Sequence, residues 1–121
     1  MNYEDRVTKA AVEAAIAGSI VFGTYTGDGT AERTIELGFT PRAVYVQMKS
    51  GRTYIMEPNT KGHYYCGGLF WPDHPIADMY DRNALEVVSG GFTVRQATYE
   101  SGYNYHYANS VSQTYYYMAL R

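Results

Sequence analysis

Residues Gly23 to Val46 read GTYTGDGTAERTIELGFTPRAVYV: two strand-like runs divided by Gly27-Asp28-Gly29, then Gly38-Phe39-Thr40-Pro41 before a third. Tyr25 and its neighbours form one strand. Gly27-Asp28-Gly29 has the composition of a tight turn that tolerates positive φ, and Thr34 to Leu37 begins the next strand. Pro41, whose ring fixes φ, sets a corner before Ala43 to Met48. The stretch predicts a β-rich domain.

On its N-terminal side the strand extends back to Ser19. Ile20, Phe22 and Thr24 fall on one face, and Val21, Gly23 and Tyr25 on the other. Before that, Tyr3 to Ala17 is predicted as a helix, because Val7, Ala10, Ala11, Ala14 and Ala15 recur at helical spacing and Gly18 supplies a stop. Its alanine-rich stripe suits a helix that covers one end of the domain or a short oligomerisation stalk. The chain is thus read as a helix over 1–18 and a β domain over 19–121.

On the C-terminal side the strand signal continues. Thr53 to Met56 follows Ser50-Gly51, and Leu85 to Val88 is parted from Phe92 to Val94 by Ser89-Gly90-Gly91; both are hairpin patterns. Thr114 to Leu120, TYYYMAL, is a last strand. Between them Glu57 to Asn83 is broken by Pro58, Gly62, Gly67, Gly68, Pro72 and Pro75, with Tyr64 to Phe70 one strand and Trp71 to Asp81 a long loop. No helices lie between the strands to make parallel crossovers. The expected class is all-β, an antiparallel jelly-roll-like β-sandwich with one N-terminal α-helix.

Composition excludes several roles. A chain of 121 residues fits one domain, and a net charge of −2 with both signs scattered offers no basic stripe for a phosphate backbone. Glu13 interrupts the small, apolar run from Ala10 to Phe22, and no stretch is long enough to span a bilayer, so neither a secretory signal nor membrane insertion is expected. The single cysteine, Cys66, excludes an internal disulfide and suits a reducing compartment.

Reactive constellations are sparse. His63 and Cys66, or Asp73, His74 and Asp78, lack the paired spacing of structural metal sites, so no metal or other cofactor is expected. Cys66 reads as a buried thiol rather than a nucleophile. Glu32 with Glu36, and Asp78 with Asp81, carry no geometry of a glycosidase pair. Gly27-Asp28-Gly29 has no following Lys-Ser/Thr or helix start to make it a phosphate loop.

The 14 tyrosines are the stronger signal. Strand alternation places Tyr103, Tyr105 and Tyr107 on one face, where they either pack, including against another subunit, or form a stacking platform for sugar rings. Trp71 in the long loop is a second stacking candidate, or a residue that packs the loop down. Trp71, Tyr103, Tyr105 and Tyr107 are therefore the candidate ligand-binding residues.

The segments Gly23 to Val46, LEVVSGGFTV (Leu85 to Val94) and NSVSQTYYYMAL (Asn109 to Leu120) resemble, in the same order, a family of small β-sandwich modules in tail-fibre and tail-associated proteins of bacteriophages and prophages. The matching positions are Gly23, Tyr25, Gly27, Gly29, Leu37, Gly38, Phe39, Pro41, Gly91, Phe92, Val94, Tyr115, Tyr117 and Ala119. Two features depart from the pattern: Asn109 is followed by Ser110, Val111 and Ser112 instead of a nearby glycine, and residues 51 to 84 have no counterpart. The resemblance implies a non-catalytic structural or attachment module, homo-oligomeric (a trimer, for example), in contact with other tail proteins and a host-surface glycan. It would reside in the virion tail and in host cytoplasm during assembly. The alternative is a freestanding carbohydrate-binding domain.

Overall fold

The computed structural model describes residues 19–59, 61–99 and 103–121. The expected helix over Tyr3 to Ala17 lies outside the described residues. The remainder is all-β: β1 (Ile20–Thr26), β2 (Glu32–Glu36), β3 (Ala43–Met48), β4 (Tyr54–Glu57), β5 (Gly62–Tyr65), β6 (Gly68–Phe70), β7 (Ile76–Ala77), β8 (Asn83–Val88), β9 (Gly91–Tyr99), β10 (Asn104–Tyr107) and β11 (Thr114–Leu120).

These strands form two sheets. The smaller has the order β1-β11-β3-β6, and the larger runs β4-β5-β10-β9-β8-β7 with β2 also on β9. Strand β9 is long enough to serve β2 and β10 along successive stretches, β2 along Gly91 to Arg95 and β10 along Gln96 to Tyr99. Most pairs are antiparallel, as expected, but β5 and β10 run parallel. Their connection passes through the other sheet and the β8–β9 hairpin, so no crossover helix is needed.

Several connections differ from their sequence reading. Gly27-Asp28-Gly29 does not close a hairpin, because β1 pairs β11 while β2 joins the other sheet. It is a corner between sheets. Asn109, wholly buried, holds it: Nδ2 donates to Asp28 Oδ1 at 2.7 Å and to the Thr30 carbonyl at 3.1 Å, and the Asn109 carbonyl accepts from Gly29 N–H at 2.9 Å. A Cβ at Gly27 would lie 2.0 Å from the Ser110 carbonyl oxygen, which requires glycine there. In the loop after Asn109 the left-handed position is taken by Ser112 at φ 65°, without a glycine. Ser50-Gly51 likewise joins strands of different sheets, since β4 pairs β5 rather than β3.

Tyr64 to Phe70 is two strands. The chain leaves the larger sheet after Tyr65, and Gly68 to Phe70 pairs with β3 in the smaller one. The break falls at Cys66-Gly67. A Cβ at Gly67 would sit 2.1 Å from the Val46 carbonyl oxygen, so only glycine lets the chain cross this closely. The β8–β9 hairpin forms as expected, with Leu85 opposite Val94 and Val88 opposite Gly91.

The core draws on both sheets. Val44, Val46, Phe70, Tyr115 and Ala119 of the smaller sheet are buried, as are Leu85, Phe92 and Val94 of the larger. Phe92 meets Phe70, Tyr25 and Tyr117 edge to face, and Tyr25 stacks on Tyr115 with ring centroids 4.9 Å apart. Each such pair contributes about 1 kcal/mol beyond area burial. The buried phenols keep their hydrogen bonds: Tyr25 donates to the Ala108 carbonyl at 2.7 Å, and Tyr115 to that of Tyr107. Burial pushes both hydroxyls well above the usual phenol range.

Candidate functional site

Trp71 follows the last residue of β6 and starts a four-residue reversal, Trp71-Pro72-Asp73-His74, closed by paired backbone hydrogen bonds between Trp71 and His74. Pro72 suits such a turn, and Asp73 takes the left-handed conformation at φ 67°, which aspartate tolerates better than most side chains. The indole remains 42% exposed, with the His74 ring 4.9 Å away, centre to centre. Beside it is a cleft of about 160 Å³ lined by Trp71, Asp73, Pro75, Asn83, Glu86 and Val87. That is smaller than the roughly 300 Å³ at which drug-sized pockets begin, and suits one small polar moiety.

One wall of the cleft is built by β8. Pairing between β7 and β8 shifts register at Ile76/Ala77, and Ala84 and Leu85 are buried in succession. The irregularity lets Asn83 and Glu86, three residues apart, meet: Asn83 Nδ2 donates to Glu86 Oε2 at 2.9 Å. The same carboxylate oxygen accepts from Arg95 Nη1 at 2.9 Å, while Arg95 Nη2 reaches Glu32 at 2.7 Å. The wall is therefore preorganised, and it carries amide and carboxylate groups beside an exposed aromatic face.

The loop behind Trp71 is clamped to the larger sheet by Asp78. Its buried carboxylate accepts from the backbone N–H groups of Tyr80 (2.8 Å) and Arg82 (3.1 Å), from Arg82 Nε (2.8 Å) and from His106 Nε2 (2.9 Å). Burial alone would raise the Asp78 carboxyl, but these donors outweigh it and hold it at about 2. An ionised carboxylate only accepts, so His106 carries its proton on Nε2. Burial lowers the His106 pKa, against the pull of Asp78, and favours a neutral ring. Arg82 also lies 3.5 Å over the Tyr99 ring, in cation–π contact.

The tyrosine trio is not one platform. Tyr103 precedes β10 with φ 56°, which breaks the alternation, and its side chain is exposed. Tyr105 stacks on Tyr64 with centroids 4.5 Å apart, and Tyr107 meets Tyr64 edge to face while packing against the core. Tyr105 and Tyr107 thus pack within the larger sheet. None of the three lines the Trp71 cleft.

Other reactive residues are dispersed. His63 is bonded to Tyr54, and Asp78 belongs to the clamp. Cys66 is buried and its thiol is pushed up to about 12 by desolvation. Among the described residues, no group of three or more His, Cys, Asp or Glu side chains is placed to hold a metal ion, and no helix is long and apolar enough to cross a membrane.

Trp71 was a sequence candidate, but Asn83 and Glu86 were missed, because a period of two puts them on opposite faces. The irregular strand start between Arg82 and Leu85 carries no glycine or proline to announce it. Comparison with known proteins finds no matching family model, no matching curated protein and no matching solved structure.

Proposed function

We propose that this chain is a non-catalytic attachment module of the bacteriophage or prophage tail type, which engages a host-surface glycan at the Trp71 cleft. In this reading the facing sheets form a jelly-roll-like β-sandwich, and the module assembles with other tail proteins. The observation that carries the glycan reading is an exposed indole beside a preorganised wall of amide and carboxylate groups. A sugar presents a C–H face that stacks on an aromatic ring and hydroxyls that donate to such oxygens, so both halves of its chemistry are met. The tail setting rests on the sequence resemblance, whose Gly27 and Gly29 lie in the corner tied to Asn109. Those positions build the framework and leave recognition to the Trp71 loop.

A glycan array probed with the full chain and with Trp71→Ala tests this reading. Binding to a defined glycan class that falls roughly two- to tenfold in Trp71→Ala, as loss of one stacking contact would give, is expected. Tyr105→Ala should leave selectivity unchanged. Glycan binding unaffected by Trp71→Ala, or no glycan binding at all, would overturn the site assignment. The alternative, a freestanding carbohydrate-binding domain, would use the same cleft; recovery of the chain in purified tail particles favours the tail reading.

A further inference from the structure

The lining of the Trp71 cleft is one-sided in charge. Asp73 and Glu86 contribute two carboxylates, and none of the lining residues is cationic. Arg95, which reaches Glu86 at 2.9 Å, is shared with Glu32 at 2.7 Å, so one cation serves two acids. Asp73 enters no ion pair among the described residues.

The hydrogen-bonding capacity left in the cleft is one-sided too. Glu86 spends Oε2 on Asn83 Nδ2 and Arg95 Nη1, and no described residue donates to its Oε1. With the Asn83 amide nitrogen turned to Glu86, Asn83 Oδ1 is an acceptor without a donor among the described residues. The Asp73 carboxylate, on the exposed turn, is in the same position. Acceptors thus dominate, beside the π face of an indole that is 42% exposed. A hydroxyl brings one donor and two lone pairs, for which this lining holds little more than the second N–H of Asn83. A primary ammonium brings three donors, no lone pair and a positive charge that an indole face attracts.

Given the glycan reading of this cleft, on which it rests, we infer that the cleft selects an amino sugar: the free amino group of a hexosamine, held as its ammonium between Trp71 and the carboxylates of Asp73 and Glu86. A volume of about 160 Å³ suits such a group with the carbons that carry it. N-acetylation removes the charge, leaves one N–H and adds a carbonyl acceptor, so it reverses each of these matches. A sugar that bears a carboxylate would meet carboxylates and is disfavoured.

Calorimetric titration of the full chain at about pH 6, where aliphatic amines are protonated, compares a glucosamine tetramer, its fully N-acetylated counterpart and tetralysine. Two partly exposed ion pairs are worth about threefold each, so the glucosamine tetramer should bind about tenfold more tightly than the acetylated one. It should also bind more tightly than tetralysine, which carries the ammonium without the ring. Glu86→Gln and Asp73→Asn should each reduce the preference about threefold. Asp73→Asn sits on the exposed turn and keeps a residue that accepts the left-handed conformation, so folding is spared. Glu36→Gln, which removes an exposed carboxylate of β2 outside the cleft, should leave the preference unchanged. Equal affinity for the two sugar tetramers, both weakened by Trp71→Ala, overturns amino-sugar selection and leaves the glycan reading intact. A preference that survives both cleft variants reports the net charge of the chain and overturns it as well. Tetralysine bound as tightly as the glucosamine tetramer overturns the sugar as the carrier of the ammonium. Binding of neither sugar tetramer also overturns the selection, and the glycan reading then stands or falls on the array.

Discussion

Asp78 is the residue on which the candidate site's geometry most depends, because one carboxylate satisfies four donors from the Trp71 loop and β10. Its folded pKa of about 2 lies below the unfolded value near 3.9, so its contribution is present above about pH 4 and is lost as pH falls toward 2. The difference corresponds to about 2–3 kcal/mol. His106 adds a second limb of the same sign. Its pKa is also lowered, so the stability held by its neutral ring is present above about pH 6.5 and declines below it. Urea unfolding across pH 3 to 8 should show stability falling in both windows, and Asp78→Asn should flatten the lower limb while costing about 3 kcal/mol at pH 7. An Asp78→Asn variant with wild-type stability and an unchanged acid limb would contradict this. None of the partnership was legible in sequence. Asp78 and His106 are 28 residues apart, and nothing local in either marks the other.

At the scale of elements, alternation of buried and outer residues made β1, β3 and β11 readable, and turn chemistry made the β8–β9 hairpin readable. Assignment to a sheet was not readable, since a glycine-rich turn looks the same whether it closes a hairpin or carries the chain from one sheet to the other. Gly67 makes the point. It splits one apparent strand into β5 and β6 because its α-carbon passes against the Val46 carbonyl. Gly67→Ala should destabilise the domain by about 2–4 kcal/mol, the range expected when two backbones are forced apart in a packed core. Gly38→Ala, where a Cβ meets nothing within 4 Å, should cost about 1 kcal/mol for its positive φ alone. Thermal or urea melts of the two variants check the order; equal losses would remove the close-approach argument.

For the whole molecule, the two sheets divide the work. Both contribute to the aromatic core around Phe92, the smaller sheet's outer face is apolar, and the Trp71 cleft lies on the β7–β8 side of the larger sheet. Of the two places the sequence offered for recognition, the Trp71 loop keeps an exposed aromatic ring beside a cleft, whereas two of the tyrosine trio pack: Tyr105 and Tyr107 both lean on Tyr64. Trp71 is the chain's single tryptophan, so its fluorescence reports the cleft without substitution. The decisive measurement is a fluorescence titration of the full chain with a glycan selected on the array. The account expects a saturable change in Trp71 emission whose midpoint equals the dissociation constant measured independently by calorimetry. Calorimetric binding of that glycan with no change in Trp71 emission would contradict it.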